Sequence, residues 1–256
     1  MTIRPGLVSV TFRHLAPSDV VRVAREADLA AIEWGGDIHV PHGDTEAAAR
    51  AAALTADAGL TVSAYGSYYR LAHPDLLDAS TVVRTAVWLG APTIRVWAGR
   101  VGSAEAPADY RRAVVDDALR VADLAEAAGV TVSLECHRNT LTDTRESTLE
   151  LFGALRDAPI RATWQPHQER DAKANEGDLR AVLPMLANLH VFAWTPDRTR
   201  LPLHKHRTEW SRYLATASGA PGDRYASLEF VADDDPDRLR ADAVTLSALL
   251  TAGGGC

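Results

Sequence analysis

Two stretches, ADAGLTVSAYG (56–66) and EAAGVTVSLEC (126–136), are built alike. In each, an Ala-rich helix end meets a glycine, and the chain resumes as a β-branched strand with the same T-V-S core. A helix–glycine–strand joint with so short a connection points to parallel strands linked by helices. Outward from these two units the rhythm continues. Short apolar runs recur at LVSVTF (7–12), AAIEW (30–34), TVSAY (61–65), TIRVW (93–97), VTVSLE (130–135), RATW (161–164), LHVFAW (189–194) and ASLEFV (226–231). Their spacing, roughly 30 residues, is about one unit of a (β/α)8 TIM barrel.

Between the runs lie segments with helical spacing, among them 18–29, 45–58, 110–128 and 236–250. Ser18 and Asp44 stand where N-caps belong, and Gly59, Gly90 and Gly129 where helices stop. An open doubly wound sheet is the competing α/β architecture, but no GxGxxG follows the first strand. We therefore expect one α/β domain, a (β/α)8 barrel over residues 1–250, with 251–256 as a flexible tail.

The chain has 256 residues, a formal charge of −7 and no block of Lys or Arg, a poor balance for neutralising nucleic-acid phosphates. No apolar stretch approaches the ~20 residues that span a bilayer. The N-terminus lacks the apolar core of a secretory signal. The two cysteines, Cys136 and Cys256, form no paired framework. These features predict a cytoplasmic protein with reduced thiols and neither a nucleic-acid nor a membrane partner.

Barrel chemistry gathers at the C-terminal strand ends, where all eight loops converge. In SLECHRNT (133–140), polarity arrives abruptly after an apolar strand, with Glu135 and His137. The later strand ends supply Gln165 and His167, His190 and Trp194, and Glu229. Two carboxylates, a carboxamide and several imidazoles on successive strands suit Mg²⁺, Mn²⁺ or Co²⁺. For any one of them the bland reading competes: Glu135 as a rim salt bridge, His190 as a core histidine. Trp34, Trp97, Trp164 and Trp194 can all be core, yet their positions also suggest an aromatic wall for sugar rings. His39 and Arg100 lie in loops that would line the same mouth.

The motifs SLECH, TWQPH, LHVFAW and SLEF, in this order, resemble the xylose-isomerase-like TIM-barrel superfamily of sugar phosphate isomerases and epimerases. The resemblance covers essentially the whole chain, including EWGGDIHVPHG (33–43). It implies a divalent metal held by Glu, Asp, His and Glu from the last four strands. Glu135, His190 and Glu229 match three of these positions. Gln165 stands where the aspartate is expected, which removes one negative charge from the ligand set. The resemblance further implies Mn²⁺ ahead of Mg²⁺, Co²⁺ or Zn²⁺, and it suggests a homo-oligomer. The endonuclease branch of the superfamily looks like a trinuclear zinc site with extra histidines. Here the third and fourth strands end in Tyr65 and Trp97, so that branch is set aside.

A metal flanked by Glu135 and Glu229 suits proton abstraction beside a carbonyl, through an enediolate. The leading expectation is a metal-dependent isomerase or epimerase of a free sugar, keto-sugar or cyclitol. Substrate contacts are expected from Trp34, His39, Trp97, Arg100, His137, His167 and Trp194. A dehydratase or other lyase on the same site comes second, as in the inosose dehydratases of this family. A non-catalytic sugar-binding barrel comes third.

Overall fold

The computed structural model describes residues 2–73 and 77–253. Eight strands alternate with eight helices: β1 (Ile3–Val8), α1 (Pro17–Glu26), β2 (Ala31–Gly35), α2 (Thr45–Asp57), β3 (Thr61–Arg70), α3 (Ala79–Leu89), β4 (Thr93–Trp97) and α4 (Ala108–Ala127) lead the chain. They are followed by β5 (Thr131–Glu135), α5 (Arg145–Ala154), β6 (Ile160–Trp164), α6 (Ala172–Val182), β7 (Leu186–Val191), α7 (Arg207–Ala217), β8 (Arg224–Leu228) and α8 (Pro236–Gly253). The strands pair in parallel in sequence order, and β1 closes on β8 with Ile3 beside Arg224. This is the (β/α)8 TIM barrel expected from the repeat.

The helix stops behave as their composition requires. Gly59, Gly90 and Gly129 adopt φ of +73°, +71° and +72°, the left-handed conformation that costs glycine least. Asp44 caps α2 by accepting a hydrogen bond from the Ala47 N–H. Ser18 does not cap α1. The helix begins one residue earlier at Pro17, which needs no N–H there, and Ala16 holds the cap position.

Two strands sit earlier than the apolar runs suggest. β1 ends at Val8, and Ser9–Phe12 coils into a buried 3₁₀ turn, where the Ser9 hydroxyl accepts from the Gly35 N–H at 2.9 Å. β7 ends at Val191, and Phe192–Trp194 continues as loop. Apolarity marks burial, and here burial outlasts the ladder. At the C-terminus α8 runs to Gly253, past the boundary expected for the tail; residues 254–256, with Cys256, lie outside the described residues. No described helix is long and apolar enough to cross a membrane.

Alternation along each strand decides what reaches the barrel interior. In β2, Glu33 points inward and Trp34 outward, where the indole N–H donates to Thr55 of α2 at 3.1 Å. In β4, Arg95 and Trp97 point inward, while Ile94 and Val96 join the apolar layer under the helices. The same parity brings Ser133 and Glu135, Thr163, Asn188 and His190, and Ser227 into the interior. The upper barrel is therefore a polar core.

Candidate active site

The centre of the site is an arginine that lies inside an apolar-looking strand. Arg95 is 1% exposed, and its Nε donates to Glu33 Oε1 at 2.6 Å while Nη1 pairs with Glu135 Oε2. Gly66 makes room for it. A Cβ there would lie 2.6 Å from Arg95 Nη2 and 2.9 Å from Glu33 Oε1, so a side chain on β3 would displace the pair. Burying three charges is tolerable only because each is matched and hydrogen-bonded.

Glu135 is the most heavily bound of the carboxylates. Besides Arg95 it accepts from the Trp97 indole N–H at 2.5 Å and from Gln165 Nε2 at 3.0 Å. Burial pushes its carboxyl up, but Arg95, with His137 and His190, outweighs that and keeps it below the usual carboxylate range. Burial likewise raises Glu33, and His190 and Arg95 reverse the effect, holding it at about 2.

His190 joins the other side of the cluster. Its Nε2–H donates to Glu33 Oε2 at 3.0 Å. Its Nδ1, fully buried, makes no well-aligned hydrogen bond and lies 3.4 Å from Glu229 Oε2 and 3.8 Å from Glu135 Oε1. Three electron-rich atoms facing one another repel unless a cation sits among them. A proton is one such cation: burial lowers His190, but Glu229 and Glu33 overcome this and raise it to about 10. A divalent ion is the other, and the orphaned Nδ1 between two carboxylates fits one. Among the described residues, no three His, Cys, Asp or Glu side chains already stand as a finished ion cage. Gln165 would have to turn its carbonyl oxygen inward to join the set, because its amide nitrogen now faces Glu135.

Above the cluster opens a cavity of about 300 Å³. Its walls include Glu135, Gln165 and Glu229 from the expected ligand set, and Trp97, His137, His167 and Trp194 from the expected substrate contacts. His137 stacks on Trp97 with ring centroids 4.6 Å apart, and its Nδ1–H donates to the Arg138 carbonyl at 2.7 Å. The His167 Nδ1 accepts from the Glu169 N–H at 3.3 Å.

Three expected contacts lie elsewhere. Trp34 packs outward in the core, His39 is buried between Ser9 and Leu15, and Arg100 is exposed beside His73. The aromatic wall is thus narrower than four indoles. Trp97, Trp164 and Trp194 reach the cavity, and Trp164 spends much of its surface on Trp210 and Tyr213 of α7.

Sequence reasoning did not single out Arg95, Glu33 or Tyr68 as working parts. Tyr68 lines the cavity from a bulged stretch of β3 with φ +56°, strained for a bulky side chain. Its hydroxyl accepts from Arg13 Nη2 at 3.2 Å, and burial pushes it up to about 12. The phenol therefore keeps its proton at neutral pH and has that proton free to donate. The signal for Arg95 was a charge inside TIRVW at a position whose parity faces the barrel axis.

The sequence profile of the xylose isomerase-like TIM barrel matches residues 21–206. The chain belongs to this family. Within reach of it is a 3-dehydroshikimate dehydratase from Bacillus anthracis, 24% identical over 270 aligned positions covering 94% of this chain and 96% of the relative. The crystal structure of a probable 3-DHS dehydratase of petrobactin synthesis from that organism superposes with a TM-score of 0.81 at 22% identity, over 96% of this chain and 99% of that one. An L-ribulose 3-epimerase follows at 0.75 and 17%, over 98% and 96%. A family barrel from Mycobacterium smegmatis, crystallised in complex with magnesium, gives 0.70 and 15%, over 98% and 97%. At these identities the solved structures share the fold.

Proposed function

We propose that this family member is a lyase that removes water from a small polyhydroxylated ketone, with a divalent ion, Mn²⁺ first, as its cofactor. One observation carries the choice: of the three carboxylates around His190, Glu229 alone has no arginine partner among the described residues. Glu33 and Glu135 share Arg95, and Glu135 is further occupied by Trp97 and Gln165. An epimerase that moves protons on two faces needs two free bases. Elimination needs one base and one neutral acid, which matches Glu229 and Tyr68.

In this reading Glu229 accepts the proton from the carbon beside the ketone. The C–H electron pair becomes a carbon–carbon double bond as the C–O bond to the hydroxyl one carbon further breaks. The departing oxygen takes the Tyr68 phenolic proton and leaves as water, and the proton on Glu229 returns to the phenol through solvent. Glu135, Gln165, His190 and Glu229 would hold the ion, whose contribution when bound is Lewis-acid polarisation of the ketone. Trp97 and His137 offer a flat stacked face for a ring. The dehydratase relative makes 3-dehydroshikimate the first compound to try.

The test is incubation of the Mn²⁺-loaded protein with 3-dehydroshikimate, followed by absorbance and mass analysis of the product. Loss of one water with appearance of an aromatic acid supports the lyase. Isomerisation or epimerisation of a sugar is the second reading, favoured by the flanking of His190 Nδ1 by both Glu135 and Glu229. It predicts solvent deuterium entering a ketose or cyclitol without loss of water. Neither outcome, with any of these compounds, leaves a binding barrel.

A further inference from the structure

The cavity is lined by five arginines in a chain of net charge −7, and four of them are neutralised. Arg13 pairs with Asp37 at 2.5 Å, Arg95 with Glu33 and Glu135, and Arg145 and Arg170 share Asp178 at 2.8 and 2.5 Å. Arg138 is the exception. Half-buried at the start of the β5–α5 loop, its guanidinium has no ion pair and no hydrogen bond among the described residues. Its surroundings sharpen the mismatch. Burial and the neighbouring Arg198, from the β7–α7 loop, both disfavour its charge, and Glu169 only partly offsets them. His167, on the same wall, also feels positive charge from Arg170 and Arg138.

Arginine is rarely left half-buried without an anion, because its fork of N–H donors loses water and gains nothing. We propose that Arg138 receives a carboxylate on the substrate, so that the site selects acid-bearing hydroxy ketones over neutral sugars. The inference rests on the lyase reading of the same cavity, to which it adds the group that reads the substrate. A carboxylate fits better than a phosphate, because a single guanidinium fork matches one singly charged acid, whereas a doubly charged phosphate calls for more than one unpaired cation and the other four cavity arginines are already ion-paired. Arg138 acts as a specificity residue. It takes no proton in the reaction.

The experiment compares wild type, Arg138→Gln and Arg138→Lys by calorimetry, with 3,4-dihydroxybenzoate against its neutral amide, and by turnover of 3-dehydroshikimate against neutral ketoses and cyclitols. We expect wild type to bind the acid about tenfold or more tightly than the amide, from one charge-assisted contact. Arg138→Gln should bring the two ligands to within about threefold, with unchanged amide affinity and thermal midpoint, and Arg138→Lys should recover part of the preference. Equal binding of acid and amide to wild type would overturn the inference, as would an equal loss of both in Arg138→Gln. Arg138-dependent binding of inorganic phosphate tighter than that of the acid would overturn the carboxylate assignment. Turnover of neutral ketoses by wild type as fast as that of 3-dehydroshikimate would leave proton transfer standing and remove this role. No exchange and no water loss with any compound would overturn the lyase reading itself, and this inference with it.

Discussion

Two arginines are buried in the barrel, one at each end, and they are satisfied in opposite ways. At the N-terminal end, Arg224 is 3% exposed and donates to four backbone carbonyls: Leu186 at 2.8 Å, Ala220 at 2.9 Å, Pro221 at 2.8 Å and Gly222 at 3.0 Å. At the C-terminal end, Arg95 meets carboxylates from two other strands. The first arrangement ties a loop to a strand end with dipoles, and burial together with Arg161 leaves Arg224 below its ordinary value. The second fixes full charges inside a low-dielectric core, and there the carboxylates hold Arg95 well above its ordinary value. The difference separates a structural plug from a preorganised electrostatic site. It also separates two kinds of carboxylate at the top of the barrel, those locked by Arg95 and the one left free.

Substitution at each arginine is the most direct way to break this contrast. Arg95→Met removes the cation that Glu33 and Glu135 share, leaving them only His190, Trp97 and Gln165 in the interior, and should cost about 3–5 kcal/mol in denaturant unfolding along with all turnover. Survival of a wild-type midpoint would mean that the carboxylates are not held as charges. Arg224→Met removes donors from carbonyls beside a surface loop, and should cost about 1–3 kcal/mol while activity per folded molecule stays near wild type. A comparable loss of activity would erase the distinction between the two ends. The smallest effect expected is at Gln165. Gln165→Asp sets a carboxylate against Glu135, so the metal-free protein should melt lower, while added Mn²⁺ should raise its midpoint more than it raises wild type. Equal metal-induced shifts would place Gln165 outside the ion's reach.

The repeat made the barrel legible before any coordinate, because each helix–glycine–strand joint carries its own local signal. The ends of β1 and β7 were not legible from apolar runs, since Ser9–Phe12 and Phe192–Ala193 are buried outside the barrel ladder. At the site, Glu135, Gln165, His190 and Glu229 could be picked out by residue type and strand position, and they do converge. Trp34 could have been sorted by parity alone, because Glu33 and Trp34 are neighbours and only one of them can face the axis. The same parity marks Arg95 as internal, but its consequence, a cation shared by carboxylates from β2 and β5, depends on strand stagger and on the space above Gly66. Neither is visible in a linear reading. The unpaired state of Arg138 is also a three-dimensional fact, for only the ion pairs of the other four arginines make it stand out.

In the proposed reaction Glu229 is the working carboxylate and Glu135 a bound one. The measurement that tests this most directly is turnover with Mn²⁺, and thermal midpoint without it, of Glu229→Gln beside Glu135→Gln. We predict that Glu229→Gln loses about 100-fold or more in kcat with its midpoint near wild type, as removal of a general base should. Glu135→Gln should lower the midpoint as well, because it strips Arg95 of a partner. Near-normal kcat in Glu229→Gln, or loss of activity in Glu135→Gln with no loss of stability, would contradict the assignment.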